Sequence, residues 1–191
     1  GDSINLQAVY TDGASRYNFQ SLSNTTYALY GNTGLLGAYQ SLGFAGVSDA
    51  VLGGTTLDTV TELETTRTWG FRGGYTHNWS AYWNTGIYGA YAQLRYTDTG
   101  KALVCANFAA ILTVGSTCNP DFSVGQIGVI TRWSPVKNLT FSVDTSWTRL
   151  DQKFSGAVVQ PVLPAIAKPA AVYELKDQST VTMLIRAQRN W

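Results

Sequence analysis

The C-terminal stretch of the chain, residues 171–191, reads AVYELKDQSTVTMLIRAQRNW. Its side chains alternate between two faces over the whole stretch, and only Leu184 breaks the pattern. The apolar parity carries Tyr173, Leu175, Ser179, Val181, Met183, Ile185, Ala187 and Trp191. A period of two predicts a β-strand, here far longer than the average strand of ~5–6 residues. A long strand with one apolar and one polar face is typical of a wall between lipid and water.

The same alternation recurs in five earlier segments of the chain. They are residues 3–11, 65–77, 85–97, 122–133 and 139–150. With the last stretch they make six strands, and the long segment 14–64 leaves room for two more. The connections alternate between long (14–64, 98–121 and 151–170) and short (78–84 and 134–138). Antiparallel strands with short turns at one end and long loops at the other are typical of an outer-membrane β-barrel.

The composition supports this interpretation and argues against other classes. Charged residues are 13% of the chain, against ~25% in an average protein, while aromatic residues also reach 13%. The net charge of +1 gives no reason to expect nucleic acid as a partner. No apolar run reaches the ~18–20 residues that a membrane-spanning helix needs. We therefore expect one antiparallel all-β region over residues 1–191.

Four arginines take the parity of the polar residues, each in a different strand: Arg72, Arg95, Arg132 and Arg186. A guanidinium facing lipid at the bilayer midplane would cost ~2–4 kcal/mol, so we predict that these side chains line a lumen. Asp144 has the same polar parity and is expected to line the lumen with them. There the arginines would select solutes by charge. Alternatively, they are solvated, or pair with Asp144, Glu174 and Asp177.

Aromatic residues are predicted to form a girdle at the short-turn end of the strands. The expected members are Tyr75, Trp79, Trp83, Trp133 and Trp191, and Tyr88 is assigned in the same way. In a soluble β-sandwich, the alternative fold, the same residues would form a core.

Two cysteines, Cys105 and Cys118, lie in the segment 98–121. In an oxidising compartment we expect a disulfide between them, worth roughly 3 kcal/mol in the chain-entropy model; the alternative is a pair of reduced thiols. With His77 as the only histidine, the pair does not supply a zinc site. No Gly-x-Ser-x-Gly elbow surrounds a serine, so no enzyme is predicted and no cofactor is expected.

Several short segments resemble alphaproteobacterial porins, in particular the rhizobial members. They are 184–191 (LIRAQRNW), 173–178 (YELKDQ), 118–121 (CNPD), 70–73 (GFRG) and the opening 1–8 (GDSINLQA). The resemblance implies an antiparallel transmembrane β-barrel of roughly 16 strands that assembles as a homotrimer. The six to eight strands here would be its C-terminal half, and the remainder of the porin chain, upstream of Gly1, would pair with the last strand. The resemblance also implies a constricting loop in the N-terminal half, which nothing in this sequence matches.

We therefore predict an outer-membrane porin: a water-filled channel for passive diffusion of small hydrophilic solutes and ions. Its partners would be outer-membrane lipids and further copies of itself. The alternative is a small closed barrel with a structural or adhesive role and no channel. Such a barrel of eight strands has an interior filled by side chains, whereas the inward parity here carries Thr, Ser, Gln, Gly and Arg. That set favours a wet lumen.

Overall fold

The computed structural model describes residues 1–19, 26–54, 60, 62–161 and 167–190. In chain order the elements are β1 (Ser3–Asp12), a 3-10 turn (Ser15–Tyr17), β2 (Thr26–Gly31), β3 (Gln40–Gly46), β4 (Ala50–Val51), β5 (Glu64–Thr65), β6 (Arg67–Asn78), β7 (Trp83–Arg95), α1 (Asp98–Phe108), β8 (Phe122–Val136), β9 (Leu139–Gln152), β10 (Ala157–Gln160), β11 (Ala171–Leu175) and β12 (Gln178–Arg189). The fold is all-β and mostly antiparallel, with one short helix among the described residues, as predicted.

The six long strands form one antiparallel sheet in the order β1-β6-β7-β8-β9-β12. Each strand pairs with its neighbour over nearly its whole length; β12, for example, runs from Gln178 opposite Leu150 to Arg189 opposite Leu139. β1 and β12 are the two edges of this sheet and do not pair with each other, so the barrel is not closed among the described residues.

The two short connections lie at the same end of the sheet. β6 and β7 are joined by residues 79–82, and β8 and β9 by Lys137 and Asn138. Asn138 adopts a left-handed conformation with φ of 67°, which asparagine tolerates better than most residues. The ladder shifts register between Trp133 and Val136, around Pro135, because proline has no N–H to donate. We call this end of the sheet the short-turn end.

The alternation predicted for the last stretch holds over β12 but not over all of 171–191. The chain breaks at Lys176 and Asp177, so β12 is a twelve-residue strand. Residues Ala171–Leu175 form β11, which belongs to a different sheet. The common parity of Tyr173 and Val181 therefore does not place them on the same surface.

A second sheet of four strands, in the order β10-β11-β3-β2, lies at the long-loop end. It is built from segments predicted to be loops, 14–64 and 151–170, together with β11. β11 and β3 pair in parallel, and the other pairs of this sheet are antiparallel. The added strands of 14–64 therefore do not extend the main sheet, which keeps six strands.

β3 packs directly against the main sheet. Ala45 and Val47 form one buried cluster with Leu94, Phe122 and Leu150 of β7, β8 and β9. Gly43 permits this approach, since a Cβ atom there would lie 2.6 Å from Gln178 Cγ and 3.1 Å from Leu150 Cδ2. A second buried cluster holds the four-stranded sheet together: Leu42, Phe154, Val158, Tyr173 and Leu175.

The segment 98–121, predicted to be a loop, contains the helix α1. Thr97 is the N-cap residue of this helix: its side chain accepts a hydrogen bond from the Gly100 backbone N–H at 3.0 Å, as is typical of threonine at this position. The structure joins Cys105 to Cys118 in a disulfide, with the Cα atoms 5.8 Å apart, as predicted. Phe108 at the end of the helix contacts Phe44 and Phe154, so the helix is held onto the second sheet. No helix in the described ranges is both long enough and apolar enough to cross a membrane.

Truncating Leu150 tests whether β3 is held by this packing. Leu150 is fully buried between the two sheets, so Leu150→Ala should destabilise the protein by about 2–5 kcal/mol and loosen β3. Thermal unfolding in detergent and proteolysis of the segment 31–39 would measure both effects. Ile185→Ala is the matched control, since Ile185 is 72% exposed on the apolar face of β12. If the two variants unfold and are cleaved alike, the packing of β3 does not depend on Leu150.

Candidate functional site: the polar face and the apolar face of the main sheet

Cross-strand partners point to the same face of a sheet, so the register assigns every side chain to one of two faces. One face carries Ile4, Leu6, Phe71, Tyr75, Ile87, Ile127, Trp147, Val181 and Ile185, all of them exposed. We call this the apolar face. The opposite or polar face carries Asn5, Gln7, Thr76, Gln126, Ser142, Ser146, Thr180 and Thr182. Only one side of the sheet is therefore suited to water.

Two arginines lie in the same cross-strand row of the polar face, near the short-turn end. Asn84 of β7 pairs with Arg132 of β8, Arg132 pairs with Ser142 of β9, and Ser142 pairs with Arg186 of β12. The two arginines are thus separated by one strand, which places their backbones about 10 Å apart. Arg132 is half-buried and Arg186 exposed. Together they make a local concentration of positive charge.

Arg72 belongs to the same face, but it lies in a different row. Its Nε donates to Gln7 Oε1 at 2.7 Å across the β1–β6 pair. Gln7 and Arg72 line a depression of about 600 Å³ together with Asn5 and Tyr88. The charge of Arg72 is therefore held at a fixed place on the polar surface.

The carboxylates named as alternative partners of these arginines are engaged elsewhere. Asp144 accepts a hydrogen bond from the Tyr88 hydroxyl at 2.7 Å, and Asp177 pairs with Arg149 at 3.2 Å. Glu174 accepts from the Thr33 hydroxyl at 2.6 Å, a bond that lowers the pKa of this carboxyl. In the described part of the chain no ion pair involves the three polar-face arginines. The polar face of the six strands thus carries three arginines and one aspartate.

The prediction that Arg95 lies on the polar face is wrong. Arg95 pairs with Arg67, which shares the parity of Trp69 and Phe71, so both arginines lie on the apolar face at its long-loop end. Tyr88 was assigned to the girdle, but it lies on the polar face over Gly128, where it meets Asp144. The alternation assigned the wrong faces on β7 because Ala92 and Leu94 are apolar although they lie on its polar face. Both are covered by β3. Apolar side chains on this strand therefore do not mark the lipid side.

The aromatic residues predicted at the short-turn end do lie together there, on the apolar face or beside the turn. Trp83 stacks on Trp133 with ring centroids 5.7 Å apart, and Trp133 stacks on Phe141 at 5.6 Å. Trp79 lies in the turn, and 67% of the residue is exposed. Tyr75, which lies on β6 before the turn, is also exposed. Phe141 was not singled out from the sequence, although its parity and position beside the turn could have indicated it. Trp191 lies outside the described residues.

Asp2 fastens the start of β1 to the first short turn. Its Oδ2 accepts from the Tyr75 hydroxyl at 2.6 Å and lies 2.9 Å from His77 Nδ1, and its Oδ1 accepts from the Asn78 backbone N–H at 3.2 Å. The bond from Tyr75, followed by that from His77, lowers the pKa of Asp2 well below its ordinary value of 3.8. This contact was not anticipated from the sequence, because it joins residues more than seventy positions apart.

At the long-loop end of the main sheet, the second sheet covers the side chains of the polar face. The Gln152 side chain accepts from the Phe44 backbone N–H at 2.9 Å, and Gln178 donates to Ser41 at 2.7 Å. The Tyr96 hydroxyl donates to the Gly46 carbonyl at 2.9 Å, and burial raises the pKa of Tyr96 to about 12. β3 is therefore fastened across the face that carries the arginines. The described residues contain no cluster of side chains suited to a metal ion.

A sheet that is wet on one face and apolar on the other, with all short turns at one end, is the architecture of an outer-membrane channel protein. A family model described as a porin subfamily matches residues 1–184. The chain belongs to this porin subfamily. No curated protein and no solved structure matches it significantly.

Membership of a porin subfamily supports a channel of the bacterial outer membrane. Strands of outer-membrane barrels present an apolar surface to lipid and a polar surface to water, and the two faces of this sheet match that pattern. On this pattern the apolar face is expected to face lipid, and we refer to it below as the lipid-facing surface. The second sheet, α1 and the disulfide belong to the region beyond the strands at the long-loop end.

Asp2 gives a pH-dependent test of this architecture. Because folding lowers the pKa of its carboxyl, Asp2 stabilises the folded porin above pH 3.8 and this contribution is lost as the pH falls below that value. We expect the thermal midpoint of the wild type to drop as the pH falls from about 5 to about 2, and Asp2→Asn to remove part of that drop.

Asp151→Asn is the control, since Asp151 is an exposed carboxylate that pairs with Lys153 only two residues away. The role given to Asp2 would be wrong if its variant kept the full pH dependence and only the control reduced it.

Proposed function

We propose that the polar face of the six strands is part of the wall of a water-filled lumen, through which small hydrophilic solutes and ions diffuse passively. Arg72, Arg132 and Arg186, opposed by Asp144, would give this wall a net positive charge. The observation that carries the proposal is the row joining Asn84, Arg132, Ser142 and Arg186. Its two arginines have no acidic partner in the described part of the chain, so their field acts on the solution.

An aqueous lumen accounts for these arginines better than a filled barrel interior does. A guanidinium that is buried without a partner is costly, so a closed barrel would need a carboxylate for each of them. The available carboxylates bind Tyr88, Arg149 and Thr33 instead. Arg132 donates to the neutral Asn84 side chain at 3.4 Å, so water and passing anions remain as the partners of the positive charges of Arg132 and Arg186. A small closed barrel with a structural role is therefore disfavoured.

β3 would narrow the mouth of this lumen from the long-loop side. It packs on Leu94, Phe122 and Leu150, which have the same parity as the polar-face arginines. A segment on that side of the sheet occupies space that solutes would otherwise cross. The prediction left room for two strands within 14–64 but not for this placement, because Gln40–Gly46 is largely buried and does not alternate clearly.

The lumen would be completed by further strands of the porin polypeptide. The outer edges of β1 and β12 present unpaired backbone N–H and C=O groups, which in lipid require partners. Six strands are also too few to enclose a channel, whereas barrels of about 16 strands do so. We propose that strands upstream of Gly1 pair with both edges. Assembly of the complete barrel as a homotrimer follows from the resemblance to alphaproteobacterial porins.

Ion selectivity of the complete channel tests the charged wall. In planar bilayers under a potassium chloride gradient, Arg132→Gln/Arg186→Gln should lower the preference for chloride over potassium by about two- to threefold. The effect is modest because charges in a wet lumen are screened. Arg149→Gln is the matched control: Arg149 lies on β9, between the strands of Arg132 and Arg186, but on the lipid-facing surface, and it should leave the reversal potential unchanged.

An unchanged reversal potential in the double variant would show that Arg132 and Arg186 do not set the selectivity. Absence of any conductance from the wild-type channel would refute the lumen itself.

A further inference from the structure

Two arginines, Arg67 and Arg95, lie opposite each other on the lipid-facing surface near the long-loop end of β6 and β7. Like charges directly opposite across a strand pair repel, so this arrangement is unfavourable unless an anion joins them. Arg67 has a partner in Asp12 at 3.6 Å, but 62% and 45% of the two side chains are exposed, which makes the pair weak. Arg95 has no acidic partner in the described part of the chain.

The other charges around this pair are already engaged. Lys101 of α1 binds Asp121 at 2.8 Å, and Glu64 accepts a hydrogen bond from the Thr97 hydroxyl at 2.6 Å. The two arginines border a depression of about 470 Å³ whose other walls include Tyr10, Trp69 and Gln93. A concave, positively charged site thus opens on the surface that faces lipid.

A second depression, of about 850 Å³, lies on the same surface closer to the middle of the strands. Its floor lies where Gly73 and Gly89 pair across β6 and β7: the Leu6 side chain lies over Gly73, and Gly89 leaves its backbone open. Exposed or half-buried apolar side chains form its walls: Ile4, Leu6, Phe71, Tyr91, Ile127 and Trp147. The depression is therefore an apolar groove, suited to a hydrocarbon chain.

The two depressions are aligned along the same pair of strands. Six residues of β7 separate Arg95 from Gly89, a distance of about 20 Å at ~3.4 Å per residue. Strands of membrane barrels are tilted by about 35–45°, so this distance spans a depth of about 15 Å, which is half the hydrocarbon thickness of a bilayer. The chains of a lipid whose phosphate lies between the arginines would therefore reach the glycines. Trp69, Phe71 and Tyr91 line the path between, with ring centroids 5.3 Å apart for Trp69–Tyr91 and 5.9 Å for Phe71–Tyr91.

We propose that this surface binds one membrane lipid, whose headgroup phosphate bridges Arg67 and Arg95 and whose acyl chain occupies the groove over Gly73 and Gly89. Phosphate matches the paired guanidinium groups in charge and geometry. Bridging would relieve the repulsion between the arginines, and filling the groove would cover the backbone exposed at Gly89. The lipid is thus a bound component of the porin surface, distinct from any solute in the lumen.

Lipid binding to the full-length porin in mild detergent tests the proposal by native mass spectrometry. The probe is dioleoyl phosphatidic acid, compared with dioleoylglycerol, which lacks phosphate, and with inorganic phosphate, which lacks chains. Phosphatidic acid should bind at least about tenfold more tightly than either, since both the charge and the chain contribute. If dioleoylglycerol binds equally well, the contact with lipid is nonspecific. If inorganic phosphate binds equally well, the site is one for free anions. Either result overturns the proposal.

Variants separate the headgroup site from the groove. Arg95→Gln should weaken phosphatidic acid binding by about fivefold or more, because the phosphate loses one charged partner. Arg149→Gln is the matched control, an arginine of the same surface that already has Asp177, and it should have no effect. Equal losses in the two variants would contradict a specific phosphate site.

Gly89→Leu should fill the groove. A Cβ atom at Gly89 would meet only the Gln126 carbonyl oxygen, at an ordinary 3.4 Å, so the strand can carry the larger residue. Gly74→Leu is its control, with a similar 3.4 Å nearest contact but on the polar face. Phosphatidic acid binding should fall in the first variant and persist in the second. If Gly89→Leu instead keeps lipid binding and loses oligomer formation, the groove is a contact between porin copies and the proposal is wrong.

Discussion

The continuous antiparallel ladder from β1 to β12 is the constraint on which the rest of the structure depends. In such a ladder the pairing partner decides the face of every residue, and a slip of one position would turn a whole strand over. In this porin a slip of β12 would put Arg186 into lipid and Ile185 into the lumen. The cost of that exchange, about 2–4 kcal/mol for the arginine alone, explains why the register and the polarity of the strand agree so closely.

The ladder also explains which parts of the fold could be predicted from the sequence. β1, β6, β8, β9 and β12 carry an apolar face and a polar face, so their alternation is clear and their positions were predicted. The turn at Asn138 and the pairing of Cys105 with Cys118 were also predicted, because each depends on residues close in sequence. The second sheet was not predicted. β3 is largely buried and shows no clear alternation, and β11 does alternate but pairs with β3 and β10, partners that lie far from it in the sequence or in a segment predicted to be a loop.

β7 shows how the second sheet limits what alternation can reveal. Its polar face is half-covered at Asn84 and Tyr88 and fully buried at Leu94. The meaning of an apolar residue on this strand therefore changes along its length. Arg95 appeared to belong to the lumen because Leu94 and Ala92 appeared to belong to lipid. Only the pairing with Arg67 resolves the ambiguity, and that pairing joins residues twenty-eight positions apart.

The arginines of this porin show that the environment, more than the residue type, decides what a guanidinium does. On the polar face, Arg132 and Arg186 are separated by Ser142, and in the proposed lumen water would screen their charge, so that each would act on passing ions only through a weak field. Arg67 and Arg95 are direct cross-strand neighbours at the end of the apolar face, where screening would be poorer next to lipid. Because their repulsion would be stronger there, an anion held between them would gain more than it would in the lumen. The same side chain would thus favour transient passage on one face of the sheet and lasting binding on the other.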